Sequence, residues 1–130
     1  MTTRERDATY PEPVSLPSET RPWGSWHVLD EGEGYKVKRI VVNPHSRLSY
    51  QYHRHRAEHW VVAAGKATCV VDGVTTIAGP GECVEVEVGQ PHRICNDEDY
   101  PLVVIEVQRG DYTGEDDIVR IEDDFGRADS

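Results

Sequence analysis

Apolar and polar residues alternate in short runs along most of this chain, and each run is closed by a Gly, Pro, Asn or Asp cluster. Trp26, Val28 and Asp30 alternate with His27 and Leu29, and Asp30-Glu31-Gly32-Glu33-Gly34 then reads as a turn. Further runs cover 35–42, 48–55, 59–64, 66–71, 74–78, 83–88, 92–96 and 101–108. Asp72-Gly73 is a two-residue hairpin signal of the type I′ kind. Nothing before residue 114 has helical period. The stretch 114–126 reads as extended or as a short helical turn. Nine or ten short strands separated by turn signals predict an all-β sandwich or small barrel.

Composition narrows the class. The 130 residues suit one domain. Residues 1–20, with Pro11, Pro13 and Pro17, read as an extended N-terminal arm, and residues 21–127 as the domain proper. Acidic residues outnumber basic ones by 24 to 14, which argues against nucleic acid or an anionic membrane as partner. No signal peptide or membrane span is visible, and Cys69, Cys83 and Cys95 read as reduced thiols packed in strands. Together these point to a cytoplasmic protein.

Candidate chemistry is concentrated in His53-Arg-His55-Arg-Ala-Glu58-His59-Trp60. His53 and His55 are two apart, so on a strand both leave one face, together with Ser49 and Gln51. Placing Glu58 beside them requires a reversal at Arg56-Ala57, because on an unbroken strand His59 would share their face instead. Two imidazoles and a carboxylate suit zinc, iron, manganese or nickel. A surface strand rich in His and Arg would have the same local pattern. A second stretch, Gly81 to Asn96, carries Glu87, Gly89 and His92 at fixed offsets.

These two stretches resemble the two motifs of the cupin superfamily: His53-x-His55, Glu58 and Gly65 in the first, Gly81, Gly89, His92 and Asn96 in the second. This chain departs from the pattern in two ways. Only two residues separate His55 from Glu58, and Glu87 replaces a usual Pro. The resemblance implies a double-stranded β-helix (the cupin jelly roll) with an N-terminal arm and a short C-terminal tail. Arg21-Pro-Trp-Gly24, Tyr35 to Ile40, Arg56 to Trp60 and the tail from Glu106 to Arg120 also resemble the type II mannose-6-phosphate isomerase domain. In many relatives that domain follows a guanylyltransferase. Here the domain is expected to stand alone, since no glycine-rich nucleotide signature is visible in the 130 residues.

What the resemblance implies is a metal-dependent interconversion of mannose 6-phosphate and fructose 6-phosphate through a cis-enediolate, in nucleotide-sugar supply. His53, His55, Glu58 and His92 would hold one divalent metal, zinc first, with manganese, iron, nickel or cobalt as other fits. Lys36, Lys38, Arg39 and Arg54 would grip the phosphate, with Arg47 and Arg93 ranked behind them. Glu106 or His59 would move the proton, and Gln51 and Gln108 would orient hydroxyls. A homodimer is expected. The alternatives are a non-catalytic metal- or sugar-binding cupin and a metal-dependent cupin oxygenase.

Overall fold

The computed structural model describes residues 17–125, and the expected arm lies almost wholly outside them. Twelve strands follow one another with no helix among the described residues. They are β1 (Ser18–Arg21), β2 (Gly24–Gly32), β3 (Tyr35–Val42), β4 (Ser46–Arg47), β5 (Tyr50–Tyr52) and β6 (Arg56–Ala64), then β7 (Ala67–Val71), β8 (Val74–Ala78), β9 (Cys83–Val86), β10 (His92–Asn96), β11 (Leu102–Gly110) and β12 (Val119–Glu122). One sheet has the order β1-β2-β3-β11-β6-β9, the other β12-β5-β10-β7-β8 with β4 paired to β10. All pairings are antiparallel. The tail, which by sequence suited either an extended run or a helical turn over 114–126, is extended at 119–122, where it forms β12 along β5, with turns at 115–116 and 124–125; residue 126 lies outside the described residues.

Alternation along the three central strands of the first sheet explains both core and cavity. On the inner face, β3 carries Lys36, Lys38, Ile40 and Val42, β6 carries Arg56, Glu58, Trp60 and Val62, and β11 carries Leu102, Val104, Glu106 and Gln108. Each of these residues is buried. The ladder aligns Ile40, Val104 and Val62 in one row, Lys38, Glu106 and Trp60 in the next, and Lys36, Gln108 and Glu58 in a third. The inner face is therefore apolar at one end and ionic at the other. The apolar half joins Trp23, Trp26, Ala67, Cys69 and Ile94 in one continuous core. The ionic half cannot be solvated by water at its base, so its groups must satisfy one another.

Two glycines fix the frame. Gly65 closes the β6–β7 turn at φ 89°, where a side chain would also meet the Pro101 carbonyl. Gly110 ends β11 directly against β6, and an added Cβ would lie 2.0 Å from the His55 carbonyl oxygen.

The reversal before β6 does not fall where the sequence suggested. The strand expected over 48–55 stops at Tyr52, and the chain turns at 53–55, so Arg56 and Ala57 already belong to β6. The cause is tertiary. The Asp117 carboxylate accepts hydrogen bonds from the backbone N–H of Arg54 and of His55, each at 2.9 Å, and holds the turn open two residues early.

Candidate metal centre and cavity

β6 delivers Glu58, β10 delivers His92, and the turn after β5 delivers His53. All three are buried, and one ligand atom from each lies within 4.8 Å of the others. His53 donates its Nδ1 proton to the Asp117 carbonyl at 2.6 Å. His92 donates its own to the Gln90 carbonyl at 2.8 Å. Both rings therefore turn Nε2 towards the same carboxylate, at 3.0 Å for His53 and 3.6 Å for His92. The ring centroids are 4.9 Å apart.

Three acceptors converging in a dry site require a cation between them. In this structure Arg56 supplies one. Its guanidinium lies 2.9 Å from Glu58 Oε2 and 3.3 Å from His53 Nε2, and the Trp60 indole donates to Glu58 Oε1 at 2.9 Å. The same donor set fits a divalent metal: two imidazoles locked in the Nε2-coordinating tautomer by carbonyl acceptors, and one carboxylate. Burial alone would raise the Glu58 pKa. The Arg56 guanidinium and the two imidazoles of His92 and His53 around it outweigh burial and hold the carboxyl well below the usual range. His92 is lowered, chiefly by burial, so its ring stays neutral as a ligand must.

Glu106 lines the same cavity as Glu58 and His92. Burial, then the charge of hydrogen-bonded Glu58, pushes its carboxyl up to about 8. Gln108 donates to Glu106 at 2.7 Å, while the Gln108 Oε1 is buried without a partner.

Several of the residues singled out in the sequence lie elsewhere. His55 is half exposed, 3.6 Å from Asp111, because the early turn breaks the alternation that would have carried it inward. His59 is beside Glu58 on β6 and so faces out, where it meets Glu85 at 3.3 Å. Arg39 sits on the exposed side of β3. Arg54 is exposed over the Tyr52 ring, 5.9 Å from its centroid. Arg47 is bound to Asp124 on the surface, whereas Arg93 does line the cavity, buried, with Nε on the Leu48 carbonyl, Nη1 on Glu122 and Nη2 without a hydrogen-bond partner among the described residues. Lys36 and Lys38 do lie together, buried on the inner face of β3. Glu115 bridges them with one oxygen on each, at 3.1 and 2.6 Å.

Gln51 is better placed than His55 to join the cluster. It pairs directly with His92 in the β5–β10 ladder and lines the cavity, so its side chain shares the wall that carries His92. Its amide nitrogen is committed to the Ser49 hydroxyl at 2.9 Å, which turns the amide oxygen into the available donor. The period-two reading that grouped Ser49, Gln51 and His53 on one face holds, and it fails only one step later, at His55. Arg56 and Trp60 both reach Glu58 from their own strand, β6, whereas the contacts of Asp117 and Glu115 could not be read from the sequence, since their partners lie on other elements.

Residues 15–123 match the protein family described as "Mannose-6-phosphate isomerase C-terminal". The chain is 48% identical over 108 residues to mannose-1-phosphate guanylyltransferase ManC of Salmonella typhimurium, an alignment covering 83% of this chain and 22% of that protein. It is 46% identical over 108 residues to the alginate biosynthesis protein AlgA of Pseudomonas aeruginosa, again with 83% and 22% covered. The chain thus spans about a fifth of the length of these curated relatives. Among solved structures, it superposes on a cupin-superfamily sugar phosphate isomerase from Silicibacter pomeroyi with a TM-score of 0.64 at 19% identity, covering 76% of this chain and 75% of that one. The capsular polysaccharide assembling protein CapF of Staphylococcus aureus gives 0.73 at 18% identity, covering 85% and 35%. At such identities these two likenesses speak to the fold, the cupin double-stranded β-helix. The chain therefore belongs to the mannose-6-phosphate isomerase C-terminal domain family.

Proposed function

We propose that this domain is a metal-dependent aldose–ketose isomerase acting on a hexose 6-phosphate, with mannose 6-phosphate and fructose 6-phosphate as the pair. The observation that carries the reading is that Glu58 and His92 of the His53–Glu58–His92 cluster line one cavity together with Glu106, a second buried carboxyl. His53, Glu58, His92 and Gln51 would hold the metal, which when bound supplies Lewis-acid polarisation of the sugar carbonyl and hydroxyl oxygens.

The remaining work falls to the chain's own groups. Glu106 takes the proton from C2 of the open-chain aldose, the released electron pair forms the C1–C2 double bond and the C1–O1 π pair moves onto O1, giving an enediolate. The O2 proton goes to O1, O2 then forms the C2 carbonyl, and the C1–C2 π pair takes the proton back from Glu106 at C1. A base with a pKa near the working pH suits both directions of transfer. Gln108 holds the Glu106 carboxyl in place through its amide. Lys36 and Lys38 stand as the cationic handle for the phosphate, whose binding energy is remote from the reacting carbons. Trp23 and Trp26 line the cavity and limit water around the reacting centre.

The test is an isomerase assay coupled to fructose 6-phosphate detection, run with the protein loaded in turn with zinc, manganese, iron, nickel and cobalt. Turnover without oxygen consumption supports the reading. Glu106→Gln should lower kcat by more than about 100-fold with KM little changed. Binding of the sugar phosphate with no turnover under any of the metals would refute it in favour of a binding module.

A further inference from the structure

The segment between β11 and β12, residues 111–118, crosses the ionic end of the barrel. Besides the contacts of Asp111 and Tyr112 with His55, it meets the wall at four points. The Thr113 carbonyl accepts from Lys36 at 2.7 Å, the Gly114 carbonyl from Arg56 at 3.4 Å, and Asp117 holds the turn at 53–55 through its carboxylate and His53 through its carbonyl. The fourth point is Glu115, and it differs in kind. Its carboxylate reaches to two ammonium groups on a strand it does not pair with, Lys38 at 2.6 Å and Lys36 at 3.1 Å.

Those lysines, Lys36 and Lys38, are 8% and 5% exposed, whereas Glu115 is 40% exposed. Lys38 also lies 4.0 Å above the Trp26 ring, and Glu31 approaches Lys36 only at 3.9 Å. Glu115 is therefore the main anion on a preformed pair of buried cations. It also lines the cavity that holds Glu58, His92 and Glu106. Two ammoniums gripping two oxygens of one anion is an oxyanion subsite, and here the anion is part of the protein. A phosphate brings an extra negative charge and a third oxygen to the same pair.

We propose that Glu115 is a tethered occupant of the phosphate subsite, a carboxylate latch that the phosphate of an incoming sugar displaces from Lys36 and Lys38. The inference rests on the isomerase reading only for the identity of that sugar. The latch has two consequences. A neutral sugar cannot open it, so it enforces selection for phosphorylated substrates. It also weakens phosphate binding by the fraction of time the subsite is open, because a tethered competitor acts at high effective concentration.

The probe is inorganic phosphate, titrated calorimetrically at low salt into the full chain without added metal, as wild type and as Glu115→Gln. With the latch closed about nine-tenths of the time, the variant should bind phosphate about tenfold more tightly, and Lys38→Met should lose the binding. Phosphate binding to Glu115→Gln that is equal to or weaker than wild type would overturn the latch. A second measurement uses wild type alone, so that it stands if the variant folds poorly. Amide exchange in the 113–117 segment, read at the Asp117 N–H that donates to the Gly114 carbonyl at 3.2 Å, should quicken when mannose 6-phosphate is added, the reverse of ordinary ligand protection. Protection of that segment would refute displacement. Neither measurement depends on turnover, so absence of isomerase activity under every metal would sink the isomerase reading and leave the latch to be judged on binding.

Discussion

Replacing Asp117 with alanine removes the device that sets the turn carrying His53. The carboxylate accepts two backbone N–H groups at 2.9 Å each, from Arg54 and His55, and it is held below its ordinary pKa because these bonds outweigh the cost of burial. Hydrogen bonds to a charged acceptor contribute about 1.5 kcal/mol or more apiece, so the loss is about 3 kcal/mol. At roughly 4 °C per kcal/mol for a domain of this size, the thermal midpoint should fall by about 12 °C. The bond from His53 to the Asp117 carbonyl is backbone-mediated and survives the substitution, but the turn beneath it loosens. Metal affinity should then drop about 10- to 100-fold, as it does when groups supporting a ligand are lost. Thermal denaturation without metal measures the first effect, and competition with a chromogenic chelator measures the second. Asp117→Asn, which offers one acceptor oxygen instead of two, should recover at most half of the stability. If alanine leaves both quantities unchanged, or lowers the midpoint without touching metal affinity, then Asp117 does not position His53.

Other outcomes follow from the same geometry. His92→Ala should abolish stoichiometric metal binding, while His55→Ala should retain it; loss of metal in the His55 variant would return that residue to the ligand set. Asn96, 1% exposed, donates to the carbonyls of Val42, Asn43 and Tyr100 and accepts from the Glu98 N–H, so Asn96→Ala should cost about 3 kcal/mol in a urea titration. An unchanged midpoint would show that water replaces all four bonds. Glu115 is ionised more readily in the folded state, with burial outweighed by Lys38 and then Lys36. A lowered folded pKa gives stability that is complete above the ordinary glutamate value of about 4.3 and disappears as the pH falls through the folded pKa. The stability gap between wild type and Glu115→Gln should therefore be flat above pH about 6 and close below about 4. Because Glu115 is well exposed, the gap should stay under about 1 kcal/mol. A gap that widens on acidification would reverse the sign of the argument.

The alternation of apolar and polar residues and the turn signals sufficed for an all-β chain, since period two is a local property of the backbone. The resemblance of His53-x-His55, Glu58 and Gly65, with Gly81, Gly89, His92 and Asn96, to the two cupin motifs was enough to indicate the fold. His53, Glu58, His92 and Glu106, which all turn out to be buried, were legible as candidates from their place in the motifs. What alternation could not supply was the point at which a strand ends. That point was set by Asp117, more than sixty residues away, and it moved the reversal to 53–55, turned His55 outward and left Gln51 opposite His92. The sharing of charges was equally invisible. Lys36 and Lys38 read as cations in the sequence, but only the return of the chain after β11 placed the Glu115 carboxylate between them. Strand period is decided by neighbours in sequence, whereas the end of β5, the ion pairs of Lys36 and Lys38 with Glu115 and the orientation of the His53 ring are decided by groups that meet only when the chain has folded.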